Sequence, residues 1–167
     1  EELSAAQDAR AFVRKNMGAV ATAYVSAAQL SEEEQVLLNG EQYGPVLKSN
    51  EWVMSRAIDT KMAPDSLGLS HIVLDATQTE LADSLYNVVR KPNAEFDVLA
   101  AQYSIAGSRD NGGVIGEVKF SDLAVELADA LKSAQKNQIV KVEFGGAIQI
   151  FKVLSIGSTS RHYRLAT

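Results

Sequence analysis

Ala100-Ala101-Gln102-Tyr103-Ser104-Ile105-Ala106-Gly107-Ser108-Arg109-Asp110-Asn111-Gly112-Gly113-Val114-Ile115-Gly116 changes character twice. An apolar helical pattern ends at Tyr103, a polar loop follows, and a strand restarts at the double glycine. Gly112 and Gly113 give the backbone a freedom that a residue with a Cβ lacks. Gly116 lets another backbone or a ligand approach the new strand closely.

Upstream of this crossing, Leu69 to Leu74 alternates as a strand, with His71 and Val73 on one face and Ile72 and Leu74 on the other. Asp75 to Thr79 caps a helix whose stripe is Leu81, Leu85, Val88 and Val89, closed by Pro92. Asn93 caps the next helix, which gathers Phe96, Leu99, Ala100 and Tyr103 on one face. Downstream, Val114 to Phe120 reads as a strand, and Ser121 caps a third helix carrying Leu123, Leu127 and Leu131. Gln138 to Phe144 and Ala147 to Ile156, joined by Gly145-Gly146, close as a hairpin. The order β-α-α-β-α-β-β predicts an α+β fold, an antiparallel-rich sheet covered by helices.

The first part of the chain is less regular. Leu3, Ala6, Ala9, Phe12 and Val13 recur at helical spacing, an alanine-rich pattern runs through Val20 to Ala27, and Ser31 with Glu34 forms a capping-box signature. Val46-Leu47 and Trp52 to Ile58 read as a hairpin around Lys48 to Glu51, with Trp52 as packing or as a partner anchor. Lys61 to Leu69 holds Pro64, Asp65, Ser66 and Gly68 and reads as a linker. The expected division is therefore 1–64, a helical segment plus hairpin; 65–157, the main domain; and 158–167, a tail without a trusted pattern.

The composition narrows the classes of function. The 167 residues carry 46% hydrophobic and 22% charged side chains, and no apolar run reaches the roughly 18 residues of a membrane span. A net charge of −5 disfavours nucleic acid as a partner, since neutralising phosphates needs a clustered basic face. The absence of cysteine removes disulfides and thiolate chemistry while leaving the compartment open. His71 and His162 lie far apart without close carboxylate spacing, so neither a metal nor a cofactor is expected. Beginning at Glu1, the chain reads as a processed chain or an excised piece.

Five features in order resemble the parvulin-type peptidyl-prolyl isomerase domain. The family sets a His before Ile or Leu on its first strand, and His71-Ile72-Val73 matches. After a helix ending in Tyr-Ser it has a Cys or Asp and then Gly-Gly-Asp-Leu-Gly. Tyr103-Ser104 and Gly112-Gly113-Val114-Ile115-Gly116 match, but Ala106 stands at the Cys/Asp position and Val114 at the strand Asp. Its third helix shows a Met and a Phe four apart to the substrate proline, where this chain has Leu123 and Leu127. Its closing hairpin reads Phe-Gly-Tyr-His-Ile-Ile-Lys-Val, and Gly146 to Val153 keeps the frame with Gln149 at the second His. Asn39 to Lys48, running into the Trp52 strand, is similar to the closing segment of a preceding related domain, as in SurA- and PpiD-like envelope foldases.

The resemblance implies a periplasmic or envelope setting and clients that are unfolded or proline-containing polypeptides. Rotation about an X-Pro bond faces a barrier of about 18–20 kcal/mol from amide resonance, and nothing covalent is needed to lower it. What is needed is an apolar slot for the ring and a dry polar shell that favours the twisted amide. In this chain the implied shell keeps His71 but faces it with Gln149 and Ala106, and Ala106 offers no side-chain hydrogen bond. His71 is then either the surviving member of a catalytic cluster or a strand histidine with an ordinary polar partner. Leu123 and Leu127, with Tyr103 at the rim, line a peptide groove or are core. The leading expectation is a catalytically degenerate domain that binds polypeptide as a chaperone module. An active isomerase is the rival from the enzyme class, and a structural spacer or homo-oligomer contact is the third.

Overall fold

The structure is a computed structural model and describes residues 24–32, 46–48, 51–53 and 56–166. The expected helix over Leu3 to Val13, and the body of the one starting at Ser31, lie outside these residues. Within them the fold is α+β. Strand β1 (Val25–Ser26) leads into a 3-10 turn, Ala27–Gln29. This turn carries a capping box of its own: Ser26 Oγ accepts from Ala28 N at 3.3 Å, and Gln29 Oε1 accepts from Ser26 N at 2.9 Å. Strands β2 (Val46–Lys48) and β3 (Glu51–Val53) pair antiparallel, with Leu47 opposite Trp52.

The main body follows the β-α-α-β-α-β-β order. Strand β5 (Ser66–Asp75) precedes helices α1 (Thr79–Val89) and α2 (Phe96–Tyr103), and β6 (Val114–Lys119) precedes helix α3 (Val125–Leu131). Strands β7 (Ile139–Phe144) and β8 (Ala147–Ile156) close the sheet, whose spatial order is β6-β5-β8-β7 and whose pairs are all antiparallel.

Alternation along the two central strands sorts the core into two layers. Ile72, Leu74, Ile148 and Ile150 turn toward α1 and α2, where they bury Leu85, Val89, Phe96 and Ala100. Leu67, Leu69, Phe151 and Val153 belong to the other layer, with Phe120, Leu127 and Leu131. Each fully buried aliphatic or aromatic side chain contributes roughly 1.5–3 kcal/mol, so both faces of the sheet are firmly held.

Helix starts differ from the sequence reading in three places. Glu95, not Asn93, is the N-cap of α2; Asn93 follows Pro92 in the left-handed region at φ 66°, which asparagine tolerates. Before α1 the Asp75 carboxylate accepts from Thr77 N at 2.9 Å and Thr77 Oγ1 at 2.6 Å, making a turn, and the N-cap is Gln78. Ser121 lies inside a 3-10 turn, Phe120–Asp122, pinned by the fully buried Phe120, so α3 starts only at Val125 and Leu123 precedes it in extended conformation.

The presumed linker and tail are both ordered strands. Strand β4 (Arg56–Pro64) pairs antiparallel with β9 (Thr159–Ala166), which also takes β1 on its other side. Asp65 joins β4 to β5 and is clasped from β9. Its carboxylate accepts from Ser158 Oγ at 2.7 Å and from Ser160 Oγ, and its backbone N donates to Ser158 O at 2.6 Å. Those hydroxyls, Ser160 first, hold the Asp65 carboxyl below its usual value. His162 is fully buried behind this clasp, with Nε2 3.8 Å from Asp65 Oδ1 and its ring edge-on to Phe120 at 4.9 Å.

Candidate functional site

His71 lies on β5 opposite Phe151, and Val73 lies opposite Gln149 on β8, so these four side chains share one sheet face. The His71 and Phe151 ring centroids are 5.5 Å apart and tilted by 47°. The polar loop after α2 closes over this face because β5 clips it at two points. Ile105 N donates to Val73 O at 2.9 Å, and His71 N donates to Gly113 O at 2.8 Å. Ser104, itself buried, accepts from Val73 N at 3.0 Å and from Ala106 N at 3.3 Å through its hydroxyl oxygen.

The double glycine is what lets the loop come so near. Gly113 has φ 79°, and a Cβ there would stand 2.4 Å from His71 O and 2.9 Å from Ala100 Cβ. At Gly112, φ 60°, the same atom would stand 2.8 Å from Asp97 Cβ.

Within this frame His71 Nε2 and Ser108 Oγ share a hydrogen bond of 2.8 Å. Burial lowers the His71 pKa below its ordinary 6.5, opposed by the nearby Gln149 amide. Among the described residues, His71 Nδ1 is buried without a hydrogen bond of acceptable geometry. At neutral pH the imidazole is uncharged and offers one donor and one acceptor, of which only the Nε2 side is engaged.

The other sequence-derived residues fall into three places. Gln149 stands beside His71, and Ala106 opens the 3-10 turn Gly107–Asn111 that carries Ser108. Leu123 and Leu127, 5% and 4% exposed, share the core layer of Phe151 beneath the site face. Tyr103 is half-buried and packs with the layer under α1 and α2, on the far side of the sheet. Ser108 and Ser104 are the polar residues that sequence reasoning passed over; a serine in a polar loop carries no periodicity to mark it. Exposed apolar side chains also collect along this edge: Ile105 at 62%, Val114 at 39% and Ile115 at 43%. Among the described residues no group of three or more His, Asp or Glu is placed to hold a metal ion.

An antiparallel four-stranded sheet with a strand histidine under a glycine-hinged loop is the frame of the rotamase-type α+β domains. A family model described as PPIC-type PPIASE domain matches residues 52–155, more than half of the chain, and the chain belongs to that family. It is 36% identical over 61 residues to Rhodanese-like/PpiC domain-containing protein 12, chloroplastic, of Arabidopsis thaliana, matching 36% of this chain and 20% of that protein. The chain thus spans a small part of that relative. Among solved structures it is similar to the peptidylprolyl isomerase PrsA of Bacillus anthracis, at 22% identity and TM-score 0.51 over 57% of this chain and 43% of that one. It is also similar to a structure of the SurA-like chaperones PEB4 and Cj1289 of Campylobacter jejuni, at 18% identity and TM-score 0.53 over 95% of this chain and 57% of that one. At these identities the two structures speak for the fold.

Proposed function

We propose that this domain binds extended polypeptide across the His71 face and does not accelerate X-Pro isomerisation. The observation that carries the reading is the state of the polar cluster. Among the described residues, His71 makes a side-chain hydrogen bond to Ser108, its Nδ1 is buried without one, and the side chain at 106 is a methyl group. A twisted amide gains from a preorganised polar shell, and a lone neutral imidazole supplies little of one.

What the site keeps is apolar surface. Ile105, in the loop clipped to Val73, and Val114 and Ile115, at the start of β6, are exposed apolar side chains near this face, and Leu123 and Leu127 belong to the layer that floors it. Strand β6 is an outer strand of its sheet, so an extended client gains main-chain hydrogen bonds there as well. Tyr103 contributes by holding α2 against the sheet. Clients are unfolded or proline-containing chains, and the setting is the periplasm or cell envelope, as the SurA-like neighbour suggests. Among the described residues no helix is long and apolar enough to cross a membrane.

Chemical-shift mapping with unfolded, proline-containing peptides tests the reading. Saturable shifts at Ile105, Val114, Ile115 and the His71 ring are expected. Flat spectra together with a concentration-dependent mass in sedimentation would replace it with a dimer or spacer role.

A further inference from the structure

On the opposite face of the sheet from His71, a cleft of about 690 Å³ opens between the α1–α2 turn and the start of β7. Its cations come from separate parts of the chain, Arg90 and Lys91 from the turn and Lys152 from β8, and no carboxylate lines it. In a chain of net charge −5 that local excess stands out. None of the three forms a salt bridge among the described residues, whereas Lys141 nearby is taken by Asp83. Glu95, the nearest acidic residue along the turn, lies outside the lining.

Arg90 and Lys152 are nonetheless held in place. The Arg90 guanidinium lies 5.1 Å over the Tyr86 ring, and Lys152 Nζ lies 5.9 Å over Phe96. Asn93 and Asn137, at φ 66° and 67°, line the same cleft. Asn137 is fixed there by its backbone N, which donates to Val153 O at 2.8 Å. Gln138 joins them, its Oε1 accepting from Gln135 N at 2.8 Å and its amide hydrogens unassigned to any partner.

We infer that this cleft binds an acidic polypeptide segment carrying two or more carboxylates. Three lines select that ligand class. The volume exceeds what a single inorganic phosphate fills and suits a ligand of several residues. Side-chain amides both donate and accept, and their acceptor oxygens are useful to peptide N–H groups but not to a phosphate. No aromatic ring lines the cleft, and the two rings beside it are covered by cations, so nothing stacks on a base. The inference is independent of the client reading, because the two faces share no lining residue.

The test is an amide-shift titration of the full chain with a blocked hexapeptide of alternating Glu and Asp, and with its Gln/Asn counterpart at equal ionic strength. Saturable shifts confined to 89–94, 137–139 and Lys152 are expected, with the uncharged peptide at least about tenfold weaker. Arg90→Gln and Lys152→Gln should each weaken binding about two- to fivefold, the range for one exposed charge pair. Shifts that leave this region still, or that persist unchanged in the double variant, would overturn the inference. So would inorganic phosphate binding as tightly as the acidic peptide. The His71 resonances stay unmoved in this titration, so its failure and that of the client reading can be told apart.

Discussion

His71 Nε2 stands 2.8 Å from Ser108 Oγ, which ties the strand histidine to the very loop that the double glycine folds back over it. The loop and the strand therefore behave as one unit, and changes on either side should register in both.

Gly113→Ala places a methyl group 2.4 Å from a backbone oxygen at a φ of 79°. A loss of about 2–4 kcal/mol in denaturant unfolding is expected, combining backbone strain with overpacking. Gly116→Ala, at φ 93° with open space around its Cβ, should cost only the strain, about 1 kcal/mol. Equal losses at the two positions would refute the close approach.

Ser104→Ala removes the acceptor of two backbone N–H groups, one of them that of the half-buried Val73. The expected cost is about 1–3 kcal/mol, the desolvation of groups left unpaired. Hydrogen exchange at the Val73 and Ala106 amides should rise more than at Ile72.

Acid should weaken the fold through His71. Burial depresses its folded pKa below 6.5, so the unfolded chain binds more protons in that window. The stability from the neutral imidazole is complete above the unfolded value and is lost as pH falls through the lower folded one. His71→Gln, which cannot titrate, should flatten the pH-stability curve below about pH 6.5. Asp65 acts at lower pH with the same sign, since its carboxyl is also depressed, and Asp65→Asn should flatten the curve below about pH 4.

Leu127→Ala removes a side chain that is 4% exposed in the layer of Phe120 and Phe151. A cost of about 2–5 kcal/mol is expected from lost burial and a cavity. Ile105→Ser, at 62% exposed, should leave unfolding within about 0.5 kcal/mol while weakening client peptides.

Period and punctuation made the main domain legible in the sequence. The alternation of His71 to Leu74 and the Gly145-Gly146 hairpin each answered to one local rule, and each formed; of the α1 stripe, Leu81, Leu85 and Val89 pack inward while Val88 turns out to solvent at 38%. The β4–β9 ladder did not announce itself. His162 and Tyr163 are adjacent and both buried, which no period of two produces, and Lys61, opposite His162, lies with its ammonium 4.5 Å over the buried Tyr24 ring. Helix starts failed where tertiary anchors won over capping chemistry, as with Phe120 at the entry to α3. At the site, His71 and Gln149 were singled out by the resemblance to the family's strand and hairpin motifs, and the β5–β8 register sets them on one face. Ser108 was hidden, because the partner of a histidine across a folded loop depends on where two glycines turn the chain.

The most direct measurement is exchange NMR of proline peptides with varied preceding residues, at high concentrations of the full chain. The account predicts unchanged cis-trans exchange rates together with peptide line broadening that Ile105→Ser reduces. Accelerated exchange that His71→Ala abolishes would contradict it and make the lone histidine, held by Ser108, sufficient for catalysis.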